Sequence, residues 1–199
     1  RIVDTRVGDV VVDTSGRHGI TAVSLNESRR FTADCLAVSG GWSPNVHLAC
    51  HHRGRPVWRE DILANVPGVD LPPGMSVAGA ANGAMTLHGA LKEGAQAADD
   101  AATSLGKNAQ IALPQVSDED YEITPFWHVG ESRARAWLDL QNDVTAKDIK
   151  QSHQEGFRAV EHLKRYTTLG MATDQGKTSN VLGLAVMADV AGKTIPQTG

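Results

Sequence analysis

Apolar and polar positions alternate in short runs at the start of the chain. Val10-Val11-Val12, then Ile20, Ala22, Val23 and Leu25, then Leu36-Ala37-Val38 carry strand periodicity. Turn residues separate them at Thr14-Ser15-Gly16 and Asn26-Glu27-Ser28, so an antiparallel meander is expected. Met75-Ser76-Val77-Ala78 predicts a further strand. A helix should follow from Thr86 to Ser104, with Leu87, Leu91, Ala95, Ala98 and Ala102 on one face. Residues 107–126 have no period, carry the acidic run Asp118-Glu119-Asp120 and meet Pro125, which stops any helix; they read as a linker. Ala134 to Leu140 is a short apolar strand. Three short helices complete the pattern. Thr145 with Asp148 resembles a capping box, and Gly156 ends that helix. Phe157, Val160, Leu163 and Tyr166 form the stripe of the second, which ends near Gly170. Ser179-Asn180 cap the third; its Val181, Leu184, Ala185 and Ala188 face inward and Gly192 closes it.

Composition narrows the function classes. The 199 residues are 41% hydrophobic and 21% charged, an ordinary globular balance. A net charge of −4 and a pI near 6.0 exclude a broad basic face for nucleic acid. No apolar run approaches the ~18 residues of a membrane span. Cys35 and Cys50 are the only cysteines, too few for a disulfide scaffold or for an all-cysteine zinc or iron–sulfur site. The chain opens on Arg1 with neither Met nor signal peptide. The expectation is a piece of a longer cytoplasmic protein, cut at both ends.

Candidate chemistry is sparse. Gly79-Ala80-Ala81-Asn82-Gly83 lies between a predicted strand and a helix, where backbone can approach a phosphate or ribose; tight strand–helix packing explains it equally well. A full Gly-x-Gly-x-x-Gly fingerprint is absent from this sequence. Ser39-Gly40-Gly41-Trp42-Ser43-Pro44-Asn45 reads as an exit turn. Cys50-His51-His52 lacks the spacing of a metal site, so no metal is expected. No Ser/His/Asp order or nucleophile elbow appears, and His153 and His162 fall on predicted helices, so no catalytic residue is assigned. Glu161, Lys164 and Arg165 form a charged helix face.

Two segments carry a resemblance. Asp34-Cys35-Leu36-Ala37-Val38-Ser39-Gly40-Gly41-Trp42-Ser43-Pro44 and the stretch from Val77-Ala78-Gly79 to Ala90 resemble the C-terminal part of a glutathione-reductase-type dinucleotide-binding domain. More specific is Glu161-His162-Leu163-Lys164-Arg165-Tyr166-Thr167-Thr168-Leu169-Gly170-Met171-Ala172-Thr173-Asp174-Gln175-Gly176-Lys177, which resembles the alpha subunits of heterotetrameric sarcosine oxidases. The tail also resembles the bacterioferritin-associated-ferredoxin-like [2Fe–2S] domain. Its four ligand positions are Asp139, Gln141, Asp174 and Ser179 here, none a thiolate, so the frame is expected without the cluster. These four side chains should face solvent or bond neighbouring backbone, with Thr145 and Ser179 near helix starts.

The resemblance implies an α/β fold in four stretches. Residues 1–107 would be the end of a partial dinucleotide-binding domain, 108–133 a linker, 134–192 a small helical domain and 193–199 the start of a linker to a downstream folate domain. It implies oxidative demethylation of sarcosine to glycine and hydrogen peroxide, with tetrahydrofolate taking the one-carbon unit. It further implies NAD in this subunit, FMN at the interface with a beta subunit, FAD elsewhere in the hetero-oligomer, and no nucleic acid or membrane partner. Flavin-binding relatives carry an acidic residue where this chain has Ala80, which argues against FAD in this half and is compatible with the implied NAD. The residues implied on the cofactor side are Gly79, Ala80, Ala81, Gly83, Met85 and Leu87. Lys164, Arg165, Thr167 and Thr168, with Lys177-Thr178 beside them, offer charge and hydroxyls to a flavin phosphate; a solvated helix face is the simpler account of that run. The alternatives are the alpha subunit of an opine, proline or glycine dehydrogenase, and a non-catalytic docking module.

Overall fold

The computed structural model describes residues 9–26, 29–109, 111–132 and 134–199. They form two compact units, residues 40–125 and residues 1–39 together with 126–199. Small sheets and helices are mixed in each, and every sheet among the described residues is antiparallel.

In the discontinuous unit, β1 (Val11–Ser15), β2 (Ala22–Leu25) and β3 (Arg30–Thr32) form the expected meander in the order β1-β2-β3. Central β2 buries Ala22, Val23 and Leu25. The third strand is Arg30–Thr32, with Phe31 opposite Val23, and not Leu36–Val38. Pairing decides this. A strand persists only where a neighbour closes its backbone hydrogen bonds. Residues 36–38 have no strand beside them among the described residues, and Val38 is 82% exposed.

The tail of this unit is built on a two-stranded ribbon, β6 (Trp137–Asp139) with β7 (Val144–Thr145), followed by the helices α3 (Ala146–Gln154), α4 (Val160–Thr167), α5 (Asn180–Ala191) and α6 (Ile195–Thr198). The Thr145/Asp148 capping box forms: the Thr145 N–H donates to Asp148 Oδ2 at 2.8 Å and the Asp148 N–H to Thr145 Oγ1 at 3.4 Å. Gly156 reverses the chain with φ +95°, and Phe157 stacks on Tyr166 at 4.6 Å between ring centroids. The core joins Leu138, Val144, Ala146, Ile149, Leu163, Leu169, Val186 and Met187. In α5, Gly183, Ala185, Val186, Met187 and Ala188 are buried, whereas Val181 and Leu184 are half-buried. The helix is apolar on nearly every side, so its sequence selects no face. The close seat of Gly183 against Leu169 selects it: a Cβ there would lie 2.4 Å from Leu169 Cδ2. Residues 193–199, expected as linker, hold α6 instead, capped by a Thr194/Gln197 box.

In the unit of residues 40–125, α1 (His47–Cys50) precedes the hairpin of β4 (Val57–Arg59) and β5 (Ala64–Val66). Ile62, Ala64 and Val66 form its core, with Met85 and Tyr121 packed against them. Tyr121 therefore ties the aperiodic stretch down. Met75–Ala78 is not a strand: it has no partner strand among the described residues, and only Ala78, which leads into the glycine turn, is shown with extended dihedrals. The helix α2 (Leu87–Ser104) starts as expected: Thr86 Oγ1 caps it, accepting the Gly89 N–H at 3.1 Å.

Candidate functional site

The glycine turn is a single turn of 3₁₀ helix, Gly79–Asn82, closed by Gly83 at φ +89°. Gly79 itself has φ +69°, a backbone shape that favours glycine. Gly79, Ala80 and Ala81 thus share one tight turn, with Ala80 exposed. Gly83 is buried, and its carbonyl accepts from Arg59 Nη1 at 3.4 Å. Met85 turns into the Ile62–Val66 core, and Leu87 opens α2 at 60% exposure. Glu93, the seventh residue of α2, reaches back: its Oε2 accepts the Gly79 N–H at 2.9 Å and Asn82 Nδ2 at 3.2 Å. A carboxylate therefore holds the N–H that a phosphate would need. The groove beside it, about 430 Å³, is lined by Ser76, Asn82, Glu93, Gln96 and Asp100 among others.

The second candidate group sits at the end of α4 and in the loop to α5. Lys164 is half-buried. Arg165 is exposed and lies 3.9 Å from Glu161 one turn back, a surface pair of small energetic weight. Thr167 is engaged in the fold: its hydroxyl donates to Leu163 O at 2.8 Å and accepts the Leu169 N–H at 3.3 Å. Thr168 is exposed and has φ +63°, a costly conformation for a β-branched residue. Asn142 Nδ2 steadies it by donating to Thr168 O at 2.8 Å. Thr167 also lines a polar groove of about 480 Å³ bounded by Asp143 and Asp148; Lys164 and Arg165 are not in its lining. The two candidate groups lie in different compact units.

The four positions matching cluster ligands divide into two pairs. Gln141 is exposed, and half-buried Asp174 accepts the Gly176 N–H at 3.1 Å and the Thr178 hydroxyl at 3.0 Å. Asp139 and Ser179 do not face solvent. They are only 3% and 0% exposed, and the Ser179 hydroxyl donates to Asp139 at 3.4 Å instead of capping α5. A buried carboxylate must be compensated, and Asp139 gathers three backbone N–H groups: Gln141 at 2.9 Å, Asn142 at 3.1 Å and Gly170 at 2.8 Å. Burial pushes its pKa up. The N–H groups of Gly170, Asn142 and Gln141 and the Ser179 hydroxyl outweigh that and hold it below the usual aspartate range. No group of three or more His, Cys, Asp or Glu able to hold a metal occurs among the described residues. Nor is any helix among them long and apolar enough to cross a membrane. Sequence reasoning missed Glu93, Asn142 and the hub role of Asp139. Two signals pointed to Asp139: it is the acidic residue beside Trp137-Leu138, and it occupies a ligand position of the ferredoxin-like frame.

Residues 133–199 match the family model described as the sarcosine oxidase A3 domain. Beyond that segment, nearly the whole chain is similar to one stretch of sarcosine oxidase alpha subunits. It is 38% identical over 196 residues to sarcosine oxidase subunit alpha of Rhizobium meliloti (strain 1021), covering 96% of this chain and 20% of that protein. It is 36% identical over 204 residues to the subunit of the same name from Corynebacterium sp. (strain P-1), covering 93% and 21%. The chain thus spans about a fifth of the length of these relatives. The crystal structure of L-proline dehydrogenase from P. horikoshii has the same fold over 95% of this chain and 40% of that one, with a TM-score of 0.71 and 19% sequence identity.

Proposed function

We propose that this chain is a working segment of the alpha subunit of a flavin-dependent oxidase complex that demethylates sarcosine to glycine. Hydrogen peroxide would be the second product, with the one-carbon unit passed to tetrahydrofolate. The observation that carries the reading is the continuous similarity at 36–38% identity over both compact units, in one order and across more than nine-tenths of the chain. The beta and other subunits of a hetero-oligomer are its partners, in the cytoplasm. FAD and tetrahydrofolate bind outside this segment. Amine oxidation itself belongs to the partner subunit, so the segment carries no catalytic residue.

Within that reading, residues 1–107 are the end of a glutathione-reductase-type dinucleotide-binding domain and 134–192 the cluster-less ferredoxin-like frame. The turn Gly79–Gly83 suits the ribose of NAD better than its phosphates. Glu93 already accepts the Gly79 N–H and repels a phosphate, while its remaining lone pairs suit a sugar hydroxyl. Ala80, Ala81 and Leu87 supply small or exposed apolar surface there, and Met85 supports the turn from the core. FMN, when bound, supplies a redox ring. This chain's part is to grip the phosphate: Lys164 and Arg165 bind it, and Thr168 joins them by turning its hydroxyl away from the Thr167 carbonyl, to which it donates at 2.5 Å, while Thr167 fixes the helix end.

The likeness to L-proline dehydrogenase concerns fold alone, so an amino-acid dehydrogenase and a docking module are the readings to be set against this one. Offering the assembled complex sarcosine and proline in parallel separates all three. The proposal requires peroxide and glycine from sarcosine, with tetrahydrofolate trapping the carbon. Turnover of proline alone, or of neither amine, rejects it.

A further inference from the structure

The loop between α4 and α5 has an expensive backbone. Thr168, Gly170, Gln175 and Gly176 all have positive φ, from +56° to +73°. Such a shape persists only where surrounding groups determine it more than once. Two sets of contacts do so. From one side Asn180 fills the bend: a Cβ on Gly170 or Gly176 would lie 2.1 or 2.2 Å from its carboxamide. From the other side comes Asp139, which is 31 residues from Gly170 and 40 from Ser179 in sequence.

The two oxygens of Asp139 divide the work. Oδ1 accepts the Gln141 and Asn142 N–H groups and so shapes the turn of its own ribbon. Oδ2 accepts the Gly170 N–H and the Ser179 hydroxyl, the two ends of the loop. The same turn sets Asn142, whose amide holds the Thr168 carbonyl. One buried carboxylate therefore fixes both ends of the loop directly and Thr168 at one remove, while Met171, Thr173 and Lys177 remain exposed.

We infer that Asp139 is the positioning residue of the 168–179 loop, setting in one shape the segment that presents Thr168 and Lys177 to an anionic group. Its functional half rests on the proposed flavin-phosphate reading of that segment. Asp139→Asn tests it, because an amide keeps one oxygen for Gln141 and Asn142 but turns an N–H₂ toward the Gly170 N–H. In the full alpha subunit assembled with its partners, hydrogen exchange of the loop amides should accelerate roughly tenfold to a hundredfold, the loss expected for a charged hydrogen bond. Exchange in α3 should stay as it was. FMN incorporated per complex should fall and be restored by excess FMN during assembly, which a merely structural defect would not allow. Ser179→Ala removes the weaker bond at the same oxygen and should show the same pattern at smaller size; it carries the test if Asp139→Asn does not assemble. Unchanged loop exchange overturns the inference. Faster exchange with FMN unchanged overturns the positioning role. In that case Lys164→Ala with Arg165→Ala locates the fault: if the pair also leaves FMN unchanged, the flavin-phosphate reading has failed as well.

Discussion

Replacing Gly83 by alanine would test the architecture of the glycine turn most sharply. The residue closes the turn at φ +89°, where a Cβ costs about 1–2 kcal/mol. The new Cβ would also lie 2.7 Å from Arg59 Nη1, 2.8 Å from Val66 Cγ1 and 3.1 Å from Ile62 Cδ1. The guanidinium is the far end of a flexible side chain and can swing away. Val66 and Ile62 cannot, being 7% and 3% exposed within their cluster, so overpacking adds about 1–3 kcal/mol. The two effects together predict a loss of about 2–5 kcal/mol for Gly83→Ala. Urea unfolding of the wild type and variant side by side measures it. Gly94→Ala is the control: Gly94 is exposed within α2 and a Cβ there meets nothing within 4 Å. That variant should gain roughly 0.5–1 kcal/mol from helix propensity alone. If Gly83→Ala costs less than about 0.5 kcal/mol, the size of an ordinary surface substitution, the turn is not held as described.

Thr145→Ala removes the capping box of α3 and should cost about 1 kcal/mol, read as a lower urea midpoint at unchanged slope. Asp139 has a depressed pKa when folded, so the stability it contributes is present above the ordinary aspartate value of ~3.9 and is lost as pH falls through the lower folded value. Acid titration of stability should therefore be steeper for wild type than for Asp139→Asn below about pH 4; superimposable curves would contradict the hub. Lys164→Ala with Arg165→Ala should lower FMN content of the complex and leave its unfolding free energy within about 0.5 kcal/mol, because the Arg165–Glu161 pair is exposed.

What the sequence revealed and what it hid follow from range. The first hairpin of the meander, the start of α2 at Thr86, the Thr145 box and the stop at Gly192 all involve residues within a few turns of one another, where spacing carries the information; Phe157, read as the start of the α4 stripe, precedes the helix and stacks on Tyr166 instead. The third strand was misplaced because Leu36-Ala37-Val38 is the more apolar run, yet Arg30–Thr32 is the segment that a short hairpin can lay against β2. The face of α5 was only half legible because apolar residues surround it. The candidate site was least legible. Gly79–Gly83 announced itself by composition, but the Glu93 carboxylate that occupies it comes from a helix later in the chain. Asp139 reaches partners 31 and 40 residues away, a distance at which no periodicity operates. The motif around Gly170 drew attention to this loop and said nothing of what holds it.

The central claim is that this chain is a segment of a sarcosine-oxidising complex, and one measurement tests it most directly. The full-length alpha subunit, assembled with its partner subunits, is given sarcosine with and without tetrahydrofolate, and glycine and hydrogen peroxide are quantified. The account predicts equimolar glycine and peroxide, with the one-carbon unit released as formaldehyde unless tetrahydrofolate is present to trap it. Absence of sarcosine-dependent peroxide from a complex carrying its full complement of flavin would contradict it.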